Sequence, residues 1–406
     1  MPPTPPFGPA EPRYSRRQML AAAGGVAGAL SLGPLLAACG SASTPPPPPV
    51  GDAAWWGAQH STGQLVFANW PLYIDYRNWL KSRPSLNEFS RDTGIAVTYE
   101  EVIQGIESFY NRIKPQLSAN RPTGFDLIVL TNGWQLTELI RNGWLLPLDH
   151  SLMPNFARYA GPLARNPAYD PGNRYTVAWQ SGFTGIAYNR HKISRRIHSI
   201  KDLWDPAFQG RVGMMNDNTD LGSAGLMFLG IDPATSTESD WKKAAGVLQA
   251  QKEQGLVHKY YSQDYIDALQ NGDTWITQAW SGDIFQARAS GYPELEFVVP
   301  DEGVMHWTDN LMIPMHAANP RSAMEWINFY YSPKIAARVV DWVEYITPVP
   351  DAQAIIEHRF HDPSVAHSDL VFPTPSMQSK VHNYRVFQSA SEYDAWNDTF
   401  DPIITG

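Results

Sequence analysis

Five apolar runs of this sequence end in, or contain, an aromatic residue, an acidic residue or both. Trp70 and Tyr73 follow QLVFAN in the stretch ANWPLY; Thr131 and Trp134 follow FDLIVL; Asp217 and Asp220 follow RVGMM; Trp280 and Asp283 close WITQAWSGD; Trp307 and Asp309 lie inside VMHWTDNLMIP. Indoles and carboxylates together suit an organic cation. A carboxylate accepts ammonium protons in charge-assisted hydrogen bonds that contribute on the order of 1.5–3 kcal/mol. A desolvated cation over an indole adds about 2 kcal/mol, and aromatic walls would cover the methylenes of a linear amine. Two ammonium groups held this way, less the cost of association, would reach micromolar affinity, about −8 kcal/mol.

Each group also has a structural reading. Trp70 and Trp280 fit an ordinary core. Asp217 and Asp220 flank a helix start, where a carboxylate caps free amides and meets the helix dipole. Trp307 and Asp309 are two apart in a strand and so share a face. A buried carboxylate is costly unless paired, so Asp309 calls for a neighbouring Arg or Lys, or for a ligand. What joins the five groups is position: open α/β sheets bind ligands outside the carboxyl ends of their strands. Other chemistry finds little support, because HExxH, GxSxG and phosphate-loop motifs are absent from the sequence. The pairs His191 and His198, and His358 and His361, lack a metal-ligand context with nearby carboxylates and read as solvated surface histidines. The sequence implies no catalytic site, metal or cofactor. A secreted hydrolase using Asp217 and Asp220 as acid and base would rest on a spacing common to helix starts, and an envelope scaffold would show an exposed aromatic surface without a cleft.

The elements that must position these residues alternate. QLVFAN is a first strand; LNEFSRDTGIAV is a helix closing at Gly94 into a second strand; SFYNRIKPQLSA is helical, with Pro115 expected to interrupt it. FDLIVL is a short apolar run of the buried parallel kind. YTVAW and GIAYN are two further strands, Ser199 and Asp202 make a capping-box start to SIKDLW, and RVGMM runs into a helical SAGLMFLG. Ser332 and Pro333 are an N-cap and first-turn pair for KIAARVVDWV. This is βαβ logic, so the fold class is α/β.

The first residues bear on location. SRRQML, Ser15–Leu20, is a twin-arginine export signal; an Ala-, Gly- and Leu-rich run follows, and LAAC ends at Cys39, the only cysteine. LAAC resembles a bacterial lipobox, cut before a cysteine that is then lipidated, so residues 1–38 read as a signal peptide. Residues 39–62, beginning with the proline-rich GSASTPPPPPV, read as a tether to the membrane. The net charge of −9 becomes about −11 without the basic signal. An acidic body attracts cations and repels phosphate backbones, which argues against nucleic acid as a partner.

From about Gln64 to about Pro350 the chain resembles the extracytoplasmic solute-binding proteins of polyamine ABC transporters, of the spermidine- and putrescine-binding type. The resemblance is carried by FANWPLY, RDTGIAVTYEE, FDLIVLTNGW, GFTGIAYNRHKI, SIKDLWDPAFQGRVGMMND, WSGDIFQARASG, FVVPDEGVMHWTDNLMIP and YITPVP, in that order. It implies a two-lobed type II binding-protein fold with two chain crossovers, near Ser181 and near Trp307–Thr308. Lobe 1 would be 63–181 plus 308–353 and lobe 2 would be 182–307 plus 354–406. It implies a monomer that holds a polyamine between the lobes and docks on a membrane permease. Trp70, Tyr73 and Trp280 would be aromatic walls, Asp217 and Asp220 amine-binding carboxylates, Trp307 and Asp309 the family's Trp-x-Asp pair, and Tyr345 the tyrosine before its TP segment. Gln388, ahead of Gln378, would supply a C-terminal glutamine. Pro71 and Leu72 stand where relatives often carry an acidic residue, and Gly133 where they carry an aromatic one. These departures leave room for another small cation, an amino acid or an opine-like zwitterion.

Overall fold

The computed structural model describes residues 49–405, so the twin-arginine motif, the run to Ala38, Cys39 and most of the proline-rich segment lie outside the described residues. Ten strands form the framework: β1 (Gln64–Asn69), β2 (Ala96–Glu101), β3 (Leu127–Thr131), β4 (Thr176–Asn189), β5 (Val212–Met215), β6 (Val257–Tyr261), β7 (Ile276–Trp280), β8 (Leu295–Val298), β9 (Val304–Met312) and β10 (Val381–Asn383). Their order is β2-β1-β3-β9-β4-β7-β5-β6, with β10 beside β9 and β8 beside β4. The parallel pairs β1/β2, β1/β3, β5/β6 and β5/β7 lie in the two wings, as expected of βαβ units.

The centre is an antiparallel ribbon. β4 and β9 pair from Thr176 opposite Met312 to Thr184 opposite Met305, with a bulge between Ala178 and Gln180. One half of each strand serves each wing. Residues 309–312 of β9 pair with β3, while 304–306 pair with β10; residues 184–188 of β4 pair with β7. YTVAW and GIAYN are therefore one continuous 14-residue strand rather than two. The Ser-Gly between them looks like a turn in sequence, but Gly182 is a strand residue kept small by what lies over it.

Two large cores flank the ribbon. One gathers Phe67, Phe89, Trp179, Trp326 and Tyr330; the other gathers Met214, Leu221, Trp241, Trp396 and Phe400. Trp307 packs against both. Ile356, Val365, Ala366 and Val371 belong to the first core, and Tyr384, Phe387 and Ile403 to the second, so the chain passes between the wings once more after Val371. This is the two-lobed binding-protein architecture, with both strand crossovers carried by the ribbon.

Local signals hold with a few exceptions. The helix Pro84–Thr93 ends at Gly94 in the left-handed region, φ 77°, as its sequence predicts. Asp202 completes the capping box on Ser199. The helix Ile106–Ser118, however, runs through Pro115. Asn111, whose carbonyl loses its donor there, is exposed, so water can take the place of the missing amide. Ser332 occupies the N-cap of Pro333–Val343 but makes no side-chain cap bond. Structure also begins earlier than residue 63: the short helix Ala53–Ala58 drives Trp56, 1 % exposed, into the first core, and its indole N–H donates to the Pro147 carbonyl at 2.9 Å. Among the described residues no helix is long and apolar enough to cross a membrane.

Candidate functional site

Strand register brings the predicted residues onto one face. Thr131 lies opposite Asp309, Gly182 opposite Trp307, and Trp280 opposite Thr184. Residues directly opposite, like residues two apart in one strand, point to the same side. Thr131, Asp309, Trp307, Gly182, Thr184 and Trp280 thus form a row across β3, β9, β4 and β7. A Cβ on Gly182 would sit 2.3 Å from Cζ2 of Trp307, so the bare backbone there is the seat of the indole.

Three carboxylates stand along this row. Asp309, 6 % exposed, accepts from the Tyr73 hydroxyl at 2.5 Å and from the Thr131 hydroxyl at 2.6 Å. These two hydroxyls fix the carboxylate's orientation. Asp217 resolves the ambiguity at the helix start Asn218–Phe228: it is the N-cap, exposed, and accepts from the amides of Thr219 and Asp220 at 2.9 Å. Asp220 turns inward instead. It accepts from the Tyr384 hydroxyl on one oxygen and from the Trp280 indole N–H at 3.2 Å on the other. Burial, with the nearby charge of Asp217, pushes the Asp220 carboxyl up to about 7, against the pull of its donors.

The third carboxylate, Asp283, lies in the first turn of the helix Ser281–Ala289 and accepts from the hydroxyls of Tyr345 at 2.5 Å and Tyr265 at 2.9 Å. Burial, followed by the Asp283 charge, raises the Tyr265 phenol well above its usual value, so it stays a donor. Tyr345 joins the carboxylates to the aromatic rings: its ring meets Trp307 at 5.3 Å and Tyr73 at 6.1 Å, both edge-on. A Cβ on Gly282 would lie 2.5 Å from Cε1 of Tyr345, so this ring too rests on glycine. Among the described residues no Lys, Arg or His forms an ion pair with Asp220 or Asp283.

Three predicted residues stand apart from this group. Trp70 is half-buried against two cores of the first wing, and its indole N–H meets no acceptor among the described residues. Trp134 stacks on Tyr393, with ring centroids 5.4 Å apart and planes at 16°. Gln388 is exposed; its amide donates to the Val386 carbonyl at 2.8 Å and its own carbonyl receives Arg141. The C-terminal residue at the carboxylates is Tyr384, which also pairs with the Thr184 hydroxyl at 3.2 Å. Sequence reasoning missed Tyr384, Tyr265 and Thr184. Thr184 was open to discovery, two positions along β4 from Gly182; the two tyrosines carry no local signal. A cavity of about 140 Å³ near Ser181, lined by Pro162, Ile346, Pro348, Pro373 and Gln378, holds no carboxylate and is separate from this row. No cluster of three metal-ligating side chains occurs among the described residues.

Two α/β lobes joined by a strand ribbon, with acidic and aromatic side chains across it, define a two-lobed solute-binding protein. The chain belongs to the family of bacterial extracellular solute-binding proteins, whose model matches residues 85–367. It is 29 % identical over 318 residues to the spermidine/putrescine-binding periplasmic protein of Salmonella typhimurium, covering 78 % of this chain and 85 % of the relative. It is 26 % identical over 334 residues to the putrescine-binding periplasmic protein SpuD of Pseudomonas aeruginosa, again covering 78 % and 85 %. Its fold matches the spermidine/putrescine ABC transporter substrate-binding protein of Streptococcus pneumoniae with a TM-score of 0.72 at 23 % identity, over 84 % of this chain and 98 % of that one.

Proposed function

We propose that this protein is the substrate-binding component of an ABC importer and takes a polyamine of the putrescine and spermidine class between its lobes. The observation that carries this reading is the convergence of Asp309, Asp220 and Asp283, oriented by hydroxyls and an indole, beside the rings of Trp307, Trp280 and Tyr345. Trp307, Trp280 and Tyr345 supply the walls that a methylene chain needs. A zwitterion would want an Arg or amide cluster beside those walls, so the cation is the better fit. The names of the relatives point to the same ligands.

The reading takes lobe 1 as residues from about 53 to 181 with 308 to about 371, and lobe 2 as 182–307 with the chain after about 371. The second boundary moves from 353 because Val365 and Val371 pack in the first core. Export through the twin-arginine motif and lipidation of Cys39 would hold a monomer at the outer face of the cell membrane, where a permease receives the ligand unchanged. No catalysis belongs to this role.

Calorimetry of the mature protein with putrescine, cadaverine, spermidine and spermine tests the central claim. Micromolar binding of at least one amine, one per chain and recovered intact, is expected; no affinity tighter than millimolar for any of the four rejects it. Mass spectrometry of the N-terminal peptide tests the anchor, since a free thiol on Cys39 in membrane-fractionated protein is incompatible with it.

A further inference from the structure

The two lobes also touch away from the carboxylates. The helix Trp134–Arg141 follows β3 directly and buries Leu136 and Leu139 in its own lobe. Trp134, its first residue, instead packs against the core of the other lobe. There it stacks on Tyr393, whose ring edge meets the buried Phe387 at 5.2 Å. At the other end of the same helix, Arg141 donates to the Gln388 carbonyl and reaches that of Phe387 at 3.5 Å. Tyr393 stands on the C-terminal helix Ala390–Thr405, which is fixed in its own lobe by Trp396, Phe400 and Ile403. Both ends of one short helix thus grip the 387–393 segment.

We infer that Trp134 and Arg141, closing on Tyr393 and the 387–388 backbone, form a latch that sets ligand affinity by holding the lobes together without touching the ligand. This rests on the lobe assignment proposed above. The apparent affinity of a closing receptor is its intrinsic affinity scaled by the closed fraction. A latch therefore strengthens every ligand by one common factor, whereas a wall of the pocket discriminates between ligands. An aromatic pair of this kind corresponds to a factor of roughly 2–12. Trp134, placed by sequence among the ligand walls, is thereby reassigned.

The test compares wild type, Trp134→Ala, Tyr393→Ala, the double variant and Arg141→Gln. Dissociation constants and off-rates are read for the four amines, and the radius of gyration by solution scattering with and without amine. The latch predicts that each single variant weakens all bound amines by the same factor, roughly 2–12-fold, mostly through a faster off-rate. The double variant is no weaker than the worse of Trp134→Ala and Tyr393→Ala, and the unliganded variants are more expanded than wild type. Altered ratios among the amines, or unchanged affinities, off-rates and radii, overturn it. If Trp134→Ala fails to fold, Trp134→Phe and Arg141→Gln carry the comparison. If wild type binds no amine, the polyamine reading fails alone, because scattering of the unliganded series still decides the latch: expansion supports it and equal radii reject it.

Discussion

The Tyr73 hydroxyl and the Asp309 carboxylate, 236 positions apart in sequence, meet at 2.5 Å. Tyr73 comes from the loop after β1 and Asp309 from β9, and Thr131 at the end of β3 completes the cradle. Three segments far apart in sequence thus converge on a single carboxylate that shares a strand face with Trp307. This convergence gives Asp309 its predicted weight.

Asp309→Asn keeps the shape of the side chain and removes its charge. Loss of one charged hydrogen bond predicts amine binding weaker by roughly 10- to 150-fold. The exposed Asp351, changed to Asn, should shift the dissociation constant by less than about twofold, since an exposed charge in water contributes little. Titration calorimetry on the pair checks this; equal losses would remove Asp309 from the ligand's contacts.

Asp220 predicts a pH dependence in two opposite senses. Its carboxyl sits at about 7, above the ordinary 3.8, chiefly through burial. An ammonium binds the ionised form, so affinity should rise as pH approaches 7 from below, by up to about tenfold per unit, and level off above. For the unliganded protein the sign reverses. Between about 4 and 7 the folded chain keeps a proton that the unfolded chain has lost, so the stability linked to that proton falls as pH rises through this window. Asp220→Asn should flatten both profiles, measured by calorimetry and by thermal melts across pH 5 to 8.

Gly182→Ala places a methyl where the Trp307 ring lies, 2.3 Å from Cζ2. The ring must move, because the strand beneath it is held by β9 on one side and by the bridge from Ser181 to Ile346 on the other. Amine affinity is expected to fall at least about tenfold, with a shift in Trp emission, while the cost to stability is about 1–3 kcal/mol. Ligand titrations beside denaturant melts separate the two effects.

Trp56→Ala tests where the folded body begins. A buried indole with its N–H satisfied by Pro147 should cost about 3–5 kcal/mol when truncated. If the segment before residue 63 were mere tether, the melting temperature would not move.

The sequence was most legible where one residue's chemistry and one element's period agree. Trp307 and Asp309, two apart in an apolar run, had to share a strand face, and the register confirms that they do. Asp217 and Asp220 could be named but not told apart, since only the fold shows which one turns to the amides of its own helix and which one inward. Tyr384 was invisible: HNYRV has no periodicity, and its hydroxyl matters only because β10 returns beside β9 and delivers it to Asp220. Gln388 and Trp134 were reachable as residue types but not as directions, because the distance from a helix start to the facing lobe is not written in local spacing. The break expected between YTVAW and GIAYN failed for the same reason, as Gly182 answers to an indole 125 residues away.

The β4/β9 ribbon makes the molecule a pair of jaws on a leaf spring. Apart from the bulge between Ala178 and Gln180, its ladder stays paired from Thr176 opposite Met312 to Thr184 opposite Met305, and a slip of one residue would turn every side chain to the wrong face. The register between the two wings is therefore fixed. In the proposed binding role, a ligand between the lobes would meet the same side chains in the same alignment whatever its length.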